Sequence, residues 1–321
     1  MNFSVIIHIS EIIEYVGVQK FMKIHLSSTA FRGEDFSEKW EACQKKAAAF
    51  GWELGIQLHN SESESLVRSL AGQQIPLSIH APLLQKKNWN LATAEVEEVF
   101  SAINENVELF RSAGVHEGVF HGGLMADLSP EAFGHGKSYN QCMRAVYREE
   151  LCLFPGKEYN RDFTDLEEYR WRHALLKQNL ARLRECFKDV RLVLENDFPA
   201  YGSMNMLFRD MVKLEHPLCL DTGHLWISCH LLHADFHKEV ELAADSGLVR
   251  MCHFHESIYN STIPPDQWGD GHRELAVRNR ELDLGRVLRT LHRGGCELFV
   301  FEFNNITAED LEIFHSYLHP R

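Results

Sequence analysis

Short apolar runs alternate with longer stretches of helical periodicity along most of the chain. The short runs are rich in Val, Ile, Leu and Phe and contain few polar residues, which is typical of strands covered on both faces. The clearest helical stretch, Thr93–Ala113, repeats apolar residues at intervals of three and four. Eight strands are predicted in this way, at residues 22–28, 55–59, 75–80, 115–120, 190–195, 218–221, 248–253 and 298–303.

The order of these elements predicts the fold class. Helices between successive strands can serve as crossovers, so the strands are expected to run parallel. Eight strand–helix units favour a closed (β/α)8 TIM barrel over an open doubly wound sheet, which with nucleotide chemistry would carry a glycine-rich fingerprint after its first strand. The chain has neither a GxGxxG nor a P-loop pattern. We therefore predict an α/β protein with a (β/α)8 barrel.

The regular alternation is interrupted once, after the fourth strand. Residues 124–168 carry aromatic residues, mixed charges and few clear strand patterns, so this segment is predicted to be an insertion of loops and helices within the barrel. A single domain covering residues 22–321 is expected. Met22 directly precedes the first convincing strand, and residues 1–21 are interpreted as an N-terminal extension.

Composition narrows the environment and the partners of the protein. The 321 residues carry a formal net charge of −13, which disfavours nucleic acid or an anionic membrane as the partner. Eight cysteines are scattered without a CxxC motif, which indicates a reducing compartment, and no apolar run approaches the roughly 20 residues of a membrane span. We expect a cytoplasmic protein that acts on a small molecule. The sequence leaves open whether it forms a homo-oligomer.

Polar residues that can bind a metal follow the ends of the predicted strands. In a (β/α)8 barrel the carboxyl ends of the strands meet at one rim, where active sites lie. Asp270 and His272 come from a loop beyond the seventh strand, and alternation along an extended segment would point both to one side. The nine candidate ligands are His80, His121, Glu195, Asp221, His224, His253, Asp270, His272 and Glu302. Their convergence predicts a metal site.

The segment from Asp221 to His224 is the centre of this rim. A carboxylate and an imidazole three residues apart suit a divalent ion such as Zn²⁺ or Mn²⁺, and Gly223 between them is able to make a sharp turn. The alternative is a helix N-cap aspartate followed by a surface histidine. Glu195 and Glu302 favour the metal interpretation, because a carboxylate within an apolar strand is costly unless it is paired or metal-bound.

The motifs resemble the xylose isomerase-like TIM barrels, a superfamily that includes endonuclease IV and many sugar isomerases and epimerases. The resemblance runs from about Met22 to Leu318, and its order and spacing are specific to the superfamily but not to one activity. It is carried by Ser78-Ile79-His80, Phe120-His121-Gly122-Gly123, Leu194-Glu195-Asn196, Asp221-Thr222-Gly223-His224, His253-Phe254-His255-Glu256, Asp270-Gly271-His272 and Phe301-Glu302.

The resemblance implies two competing activities. In the sugar epimerases, residues corresponding to Glu195, Asp221, His253 and Glu302 bind one Mn²⁺-like ion, and the two glutamates handle protons. In endonuclease IV all nine positions hold a three-zinc cluster that cleaves a phosphodiester, and this chain has all nine residue types. Our leading expectation is a metal-dependent isomerase or epimerase of a sugar or sugar phosphate, with both glutamates catalytic. Phosphoester hydrolysis is the alternative. A binding module without catalysis is disfavoured, because it gives no reason for both glutamates.

Residues around the rim are expected to contact the substrate. His59, His255 and Glu256 lie next to predicted strand ends and are assigned to substrate binding. Two interpretations of the aromatic residues in the insertion are open: they enclose a small substrate above the rim, which would exclude a DNA duplex, or they pack into a small core of the insertion itself. These residues are Phe133, Tyr139, Tyr147, Phe154, Tyr159 and Phe163.

Overall fold

Eight parallel strands form the centre of the protein. The computed structural model describes residues 22–31 and 36–320, and the predicted N-terminal extension lies outside these residues. The strands are β1 (Lys23–Ser27), β2 (Glu53–Leu58), β3 (Leu77–Ala81), β4 (Glu117–Phe120), β5 (Arg191–Glu195), β6 (Leu218–Asp221), β7 (Val249–His253) and β8 (Leu298–Phe301). Each pairs with its neighbours in sequence, and β8 pairs with β1 to close the barrel. The predicted (β/α)8 barrel is confirmed.

Helices follow the strands and cover the outside of the barrel. Within the described residues they are α1 (Phe36–Ala49), α2 (Glu64–Ala71), α3 (Glu97–Ser112), α4 (Tyr139–Met143), α5 (Glu167–Cys186), α6 (Phe208–Met211), α7 (Thr222–Leu231), α8 (Phe236–Asp245), α9 (Leu284–Arg293) and α10 (Ala308–Leu318). The helix predicted from Thr93 begins at Glu97, and α7 begins directly after β6, as in the N-cap alternative. No helix in this part of the chain is long and apolar enough to span a membrane.

Alternate residues of the strands face opposite sides of the barrel wall. Phe120, Leu194 and Leu220 face the helices and join the main hydrophobic core, whereas Val119 and Val193 belong to a separate cluster inside the barrel. We call eight interior positions the inner layer: His25, Gln57, Ser78, Val119, Val193, Cys219, Met251 and Val300. The rim layer is the next interior position, at the end of each strand or directly after it: Ser27, His59, His80, His121, Glu195, Asp221, His253 and Glu302. The interior thus changes from partly apolar to ionisable within two residues.

The insertion predicted after the fourth strand lies between β4 and α5. It contains α4 and packs with neighbouring loops into an apolar cluster that includes Leu124, Met143 and Tyr201. Arg148 ties it to the start of α5, because its Nη1 donates to a Glu168 carboxylate oxygen at 2.8 Å. The insertion is therefore attached to the barrel by both packing and charge.

Candidate metal centre

Glu195, at the end of β5, lies at the centre of the candidate site. It is fully buried, and its Oε2 lies 3.3 Å from His80 Nε2 and 3.5 Å from His121 Nε2. Its Oε1 lies 2.7 Å from His253 Nδ1, and the same nitrogen lies 2.6 Å from Glu302 Oε2. Side chains from five strand ends therefore meet around one carboxylate, as the geometry of a barrel rim requires.

A second group of ligands adjoins the first. Asp270 contacts two imidazoles, with 3.0 Å between its Oδ1 and His224 Nε2 and 2.8 Å between its Oδ2 and His272 Nε2. The His224 ring centroid lies 5.9 Å from that of His121, which belongs to the first group. With Asp221 between the two groups, the structure brings all nine predicted ligands together.

The donor geometry fits divalent ions better than hydrogen bonds. His253 Nδ1 faces two carboxylate oxygens, although a ring nitrogen carries at most one hydrogen. Glu195 Oε2 and Asp270 Oδ1 are buried and, among the described residues, have no hydrogen-bond partner despite the imidazoles beside them. Several sets of side chains hold their ligand atoms within 4.8 Å of one another, among them His80–His121–Glu195, His80–His253–Glu302 and His224–Asp270–His272. These sets are the candidate ion sites.

Three of the histidines donate their Nδ1 hydrogen to a fixed acceptor. The pairs are His121 with Asp197 Oδ1 at 2.8 Å, His224 with the Asn196 carbonyl oxygen at 2.8 Å, and His272 with the Glu302 carbonyl oxygen at 2.7 Å. Because Nδ1 carries the hydrogen, Nε2 of each neutral ring presents its lone pair to the carboxylates. This is the arrangement that orients metal-ligating histidines.

Burial and charge act in opposite directions on the ionisable groups of the site. Burial alone would raise the pKa of Glu195, but the imidazoles of His253 and His121 outweigh it and hold this pKa well below its usual range. Burial would likewise lower the pKa of His272, but the Asp270 carboxylate raises it to about 10. These carboxylates therefore need positive charge beside them, which divalent ions or protonated imidazoles can supply.

Asp221 fills one of the two roles that its sequence presents as alternatives and remains available for the other. Its Oδ1 accepts the backbone N–H of His224 at 2.7 Å and so caps α7. Its Oδ2 lies 3.0 Å from His255 Nε2 and 3.9 Å from His253 Nδ1. The capping bond therefore holds the carboxylate in the rim layer, where it is able to bind an ion as well.

Two backbone predictions are wrong, although the side chains still converge. Gly223 makes no sharp turn but lies in the first turn of α7, where a Cβ would lie 2.4 Å from His255 Cε1 and 2.5 Å from the Asp270 carbonyl oxygen. The segment from Asp270 to His272 is not extended, because φ is +101° at Gly271 and +44° at His272. Glycine is required at 223 for close approach and at 271 for backbone conformation.

The three residues predicted to bind substrate lie in different places. His59 lines the cavity beside the ligands. His255 is fully buried against Asp221, and Glu256 Oε2 accepts the backbone N–H of Asn279 at 3.2 Å. Neither lines the cavity, because the chain after β7 turns away from it and Glu256 pairs with Arg273 in an antiparallel bridge. Substrate contact by this pair is therefore not supported by the geometry.

Two supporting residues escape a search for ligands at strand ends. Asp197 orients His121 and also accepts the backbone N–H of Asn205 at 3.2 Å. Asn196 exchanges hydrogen bonds with the backbone of Asp221, accepting at 2.7 Å and donating at 3.1 Å. Both directly follow Glu195, so a polar run after a buried strand is the signal that identifies them.

A cavity of about 460 Å³ lies over the ligands, within the size range of small-molecule sites. Of the aromatic residues in the insertion, Phe133, Tyr139 and Tyr159 line this cavity. Tyr147 instead packs against the apolar cluster of the insertion, and Phe163 joins the main core. Phe154 packs against a further cluster that includes Tyr159 and Trp268. Three of the six residues are thus placed where they could enclose a substrate, which stays a prediction, and Tyr147 packs within the insertion as the other interpretation predicts.

Fold and centre together define the class of this protein: a (β/α)8 barrel whose rim carries nine candidate metal ligands. No protein-family model and no curated protein matches the chain. Among solved structures, a D-tagatose 3-epimerase-like protein shares the fold at 16% identity, with a TM-score of 0.57 over 92% of this chain and 97% of that chain. The chain thus shares the (β/α)8 barrel fold of that protein, as the order of its elements predicts.

Two further solved structures match at lower similarity. A xylose isomerase domain protein from Planctomyces limnophilus is 11% identical, with a TM-score of 0.49 over 91% of this chain and 92% of that chain. Endonuclease IV from Thermus thermophilus is 16% identical, with a TM-score of 0.44 over 94% of this chain and 100% of that chain. Such identities do not select an activity.

Proposed function

We propose that this protein is a divalent-metal-dependent enzyme that hydrolyses a phosphoester of a small substrate. The observation that carries the proposal is the number and grouping of the ligands, since nine side chains converge in sets whose ligand atoms lie within 4.8 Å of one another. One zinc ion uses about four ligands, so nine side chains favour two or three ions. This reverses the order of the two activities expected from the sequence.

Charge balance separates a site with one ion from a site with several. The carboxylates of Glu195, Asp221, Asp270 and Glu302 contribute four negative charges when ionised. One divalent ion would leave an excess of two negative charges, which would repel a phosphate group, whereas three ions would leave an excess of two positive charges. The multinuclear form is therefore the one suited to an anionic phosphoester.

The residues of the candidate metal centre would have different roles in hydrolysis. Divalent ions bound there would polarise the phosphoryl oxygens and acidify a water molecule. Glu195 contacts three imidazoles, so its carboxylate would bind the ions together with these rings. Glu302 lines the cavity, so its carboxylate is in reach to accept a proton there. Asp197 would keep the ring of His121 in its ligating orientation.

The donor set also bears on the metal and the compartment. Imidazole and carboxylate donors suit Zn²⁺ and Mn²⁺, so these are the ions that we propose. All eight cysteines are unpaired, which supports a reducing compartment and hence the cytoplasmic location expected from composition. The acidic composition and the cavity of about 460 Å³ support a small-molecule substrate rather than nucleic acid.

An isomerase or epimerase that uses one ion is the second candidate. The observation in its favour is the pair of carboxylates, Glu195 and Glu302, that flank His253 Nδ1 at 2.7 Å and 2.6 Å. Such a pair could move a proton between two carbons of a substrate held beside one ion. The excess negative charge of that form suits an uncharged polyol and disfavours a sugar phosphate.

Isotope incorporation distinguishes the two activities in one protein preparation. The Zn²⁺- or Mn²⁺-loaded chain is incubated with p-nitrophenyl phosphate and bis(p-nitrophenyl) phosphate in ¹⁸O-labelled water, and with a panel of ketoses and aldoses in D₂O. We expect ¹⁸O in the released phosphate or phosphomonoester and no deuterium on sugar carbon. Deuterium incorporation without phosphoester cleavage would overturn the proposal in favour of the isomerase.

Alanine variants of His121 and His272 provide the matched structural test. Neither residue is among the four that the resemblance to the epimerases assigns to a single ion, although each belongs to a candidate ligand set. Hydrolysis should fall by at least about a hundredfold in each variant, more than loss of an outer-shell partner usually costs. Unchanged activity in both variants would show that a single ion suffices and would contradict a multinuclear hydrolase.

A further inference from the structure

The cavity over the candidate metal centre has two kinds of wall. One is made of the ligands, and the other consists of six aromatic side chains that we call the aromatic chamber: Trp89, Phe133, Tyr139, Tyr159, Phe198 and Trp268. Substrate bound at the ligands would therefore extend against these rings. The chemistry of the chamber then limits what the non-reacting part of the substrate is.

The rings of the chamber reach the ligands without a break. Phe133 lies edge-on to His59 at 6.0 Å between ring centroids, and Tyr139 follows it at 5.7 Å. Phe198 lies 6.3 Å from Tyr139 and 6.1 Å from the ligand His224. These separations are those of favourable aromatic pairs. A group next to the centre is thus within reach of π-faces.

The chamber is held in place by contacts beyond the cavity. The Tyr159 hydroxyl donates to the Trp268 carbonyl oxygen at 2.5 Å, and the Trp268 indole N–H donates to the Ile263 carbonyl oxygen at 2.9 Å. Trp268 is also stacked on His230, with 3.9 Å between ring centroids. The rings are therefore preorganised, so little conformational entropy of these side chains is lost when a ligand packs on them.

Charge in the chamber excludes a second anionic group on the substrate. None of the described residues that line the cavity is a lysine or an arginine, and Glu158 and Asp197 add negative charge. The remaining polar lining includes the amides of Asn88 and Asn140. Positive charge would therefore come from the ions and imidazoles of the metal centre and not from the chamber, while amides could bond the edge of a neutral group.

We propose that the non-reacting part of the substrate is an uncharged planar ring, an aryl group or a nucleobase, that packs in the aromatic chamber. This rests on the proposed function, because the phosphoester at the metal centre anchors the ring there. Stacking of a planar ring on aromatic side chains is favourable and tolerant of the identity of the ring. The substrate class is thus an aryl or nucleoside phosphoester.

Phosphonates that differ in one substituent test this proposal by calorimetric titration of the Zn²⁺-loaded full chain. Methylphosphonate reports anion binding alone, and phenylphosphonate adds the ring. Cyclohexylphosphonate has similar size without planarity, while 2-aminoethylphosphonate and 3-phosphonopropionate add a positive and a negative charge. We expect phenylphosphonate to bind about tenfold tighter than the methyl and cyclohexyl compounds and 3-phosphonopropionate to bind weakest.

The outcomes separate a failure of this inference from a failure of the proposed function. If methylphosphonate binds and phenylphosphonate binds no tighter than the methyl or cyclohexyl compound, the ring proposal is overturned while anion binding at the metals stands. Preference for 2-aminoethylphosphonate would overturn it in favour of a cationic substituent. If none of the phosphonates binds, the phosphoester function fails and the ring proposal fails with it.

Two variants locate the preference in the structure. Phe133→Ala removes a chamber ring that is only partly buried and should reduce the preference for phenyl over methyl by about threefold or more. Trp171→Ala is the matched control, since this side chain on α5 is 47% exposed and does not line the cavity. An equal loss of preference in both variants would contradict a chamber-specific effect.

Discussion

His25 and His121 both lie in the barrel interior, one in the inner layer and one in the rim layer. The His25 Nδ1 bonds to the Ser78 hydroxyl at 2.8 Å, and burial with Lys23 nearby lowers its pKa to about 3. Burial acts in the same direction on His121, but the carboxylates of Glu195 and Asp197 outweigh it and raise its pKa. Burial of a histidine therefore does not indicate a metal site, whereas carboxylates next to the imidazole do.

The same contrast holds for the two layers as a whole. The inner layer carries uncharged polar side chains such as Gln57 and Ser78, and the Cys219 thiol. The rim layer, two residues further along each strand, carries Glu195 and Asp221 among its histidines. Rim-layer substitutions should therefore change metal binding and catalysis, whereas inner-layer substitutions should change stability alone.

The largest effect is expected from Glu195→Gln, which keeps the shape of the side chain and removes its charge. This carboxylate contacts three imidazoles, so its loss should lower the metal content by at least one ion per chain. Activity should fall by more than the roughly 10–100-fold expected for an outer-shell partner. Elemental analysis and phosphoester hydrolysis measure both effects.

Glu117→Gln provides the control, because Glu117 stands at the opposite end of β4 and pairs with Arg191 on the surface. Metal content and activity should stay at the level of the unsubstituted protein. If Glu195→Gln retained full metal content and activity, the expectation that rim-layer substitutions change metal binding and catalysis would be contradicted.

Metal removal should have the next largest effect. The buried carboxylates of the rim lose their compensating charge when a chelator removes the ions, and stability falls by about 2.7 kcal/mol for each ion that was present at 100 times its Kd. Thermal unfolding monitored by calorimetry should show a Tm lower by about 5 °C or more. A Tm that does not respond to chelator or to added Zn²⁺ and Mn²⁺ would contradict bound ions at the rim.

A smaller effect is expected from Asp197→Asn. The substitution weakens the acceptor that holds His121 Nδ1 at 2.8 Å, so Nε2 would point less reliably at Glu195. Metal affinity or activity should fall by roughly 10–100-fold. Asp189→Asn, which changes a surface partner of Arg111, should leave both unchanged. If the two variants had equal metal affinity and activity, the proposal that Asp197 orients a ligand of the metal centre would be contradicted.

The smallest effect concerns the inner layer and pH. His25 has a folded-state pKa of about 3 against about 6.5 when unfolded, so the unfolded chain binds the extra proton and stability falls as pH drops below about 6.5. Between pH 7 and 5.5 its share of the unfolding free energy should fall by about 1 kcal/mol. Denaturant unfolding of His25→Gln should lack this component. An identical pH slope in both proteins would contradict a neutral buried His25.

Alternation along apolar strands places six of the candidate ligands at the rim, which is why their convergence was predictable from sequence. The other three, His224, Asp270 and His272, come from a helix and a loop, and the backbone predicted for them was wrong. The supporting residues were not predictable, because Asp197 and Asn196 act through contacts with His121 and Asp221, which lie 76 and 25 residues away in the chain. Nor could a local pattern predict the left-handed backbone at His272 or the stacking of its ring on His255 at 4.3 Å between ring centroids.

The Asp221–His224 segment shows that two interpretations of one sequence pattern are compatible with the same structure. The sequence presents an N-cap and a metal ligand as alternatives, because either role alone would explain the Asp221 carboxylate. The fold is compatible with both, since Oδ1 caps α7 while Oδ2 faces His253 and His255. The two interpretations concern different oxygen atoms of one side chain, and a pattern of residues does not distinguish between them.

The most direct test of a multinuclear rim is the number of ions per chain. The purified protein is loaded with Zn²⁺ or Mn²⁺, freed of excess by gel filtration, and its metal and protein contents are measured by inductively coupled plasma mass spectrometry and amino-acid analysis. We expect two or three equivalents of divalent metal per chain. One equivalent would contradict the hydrolase and favour the isomerase, and a chain without metal would contradict both.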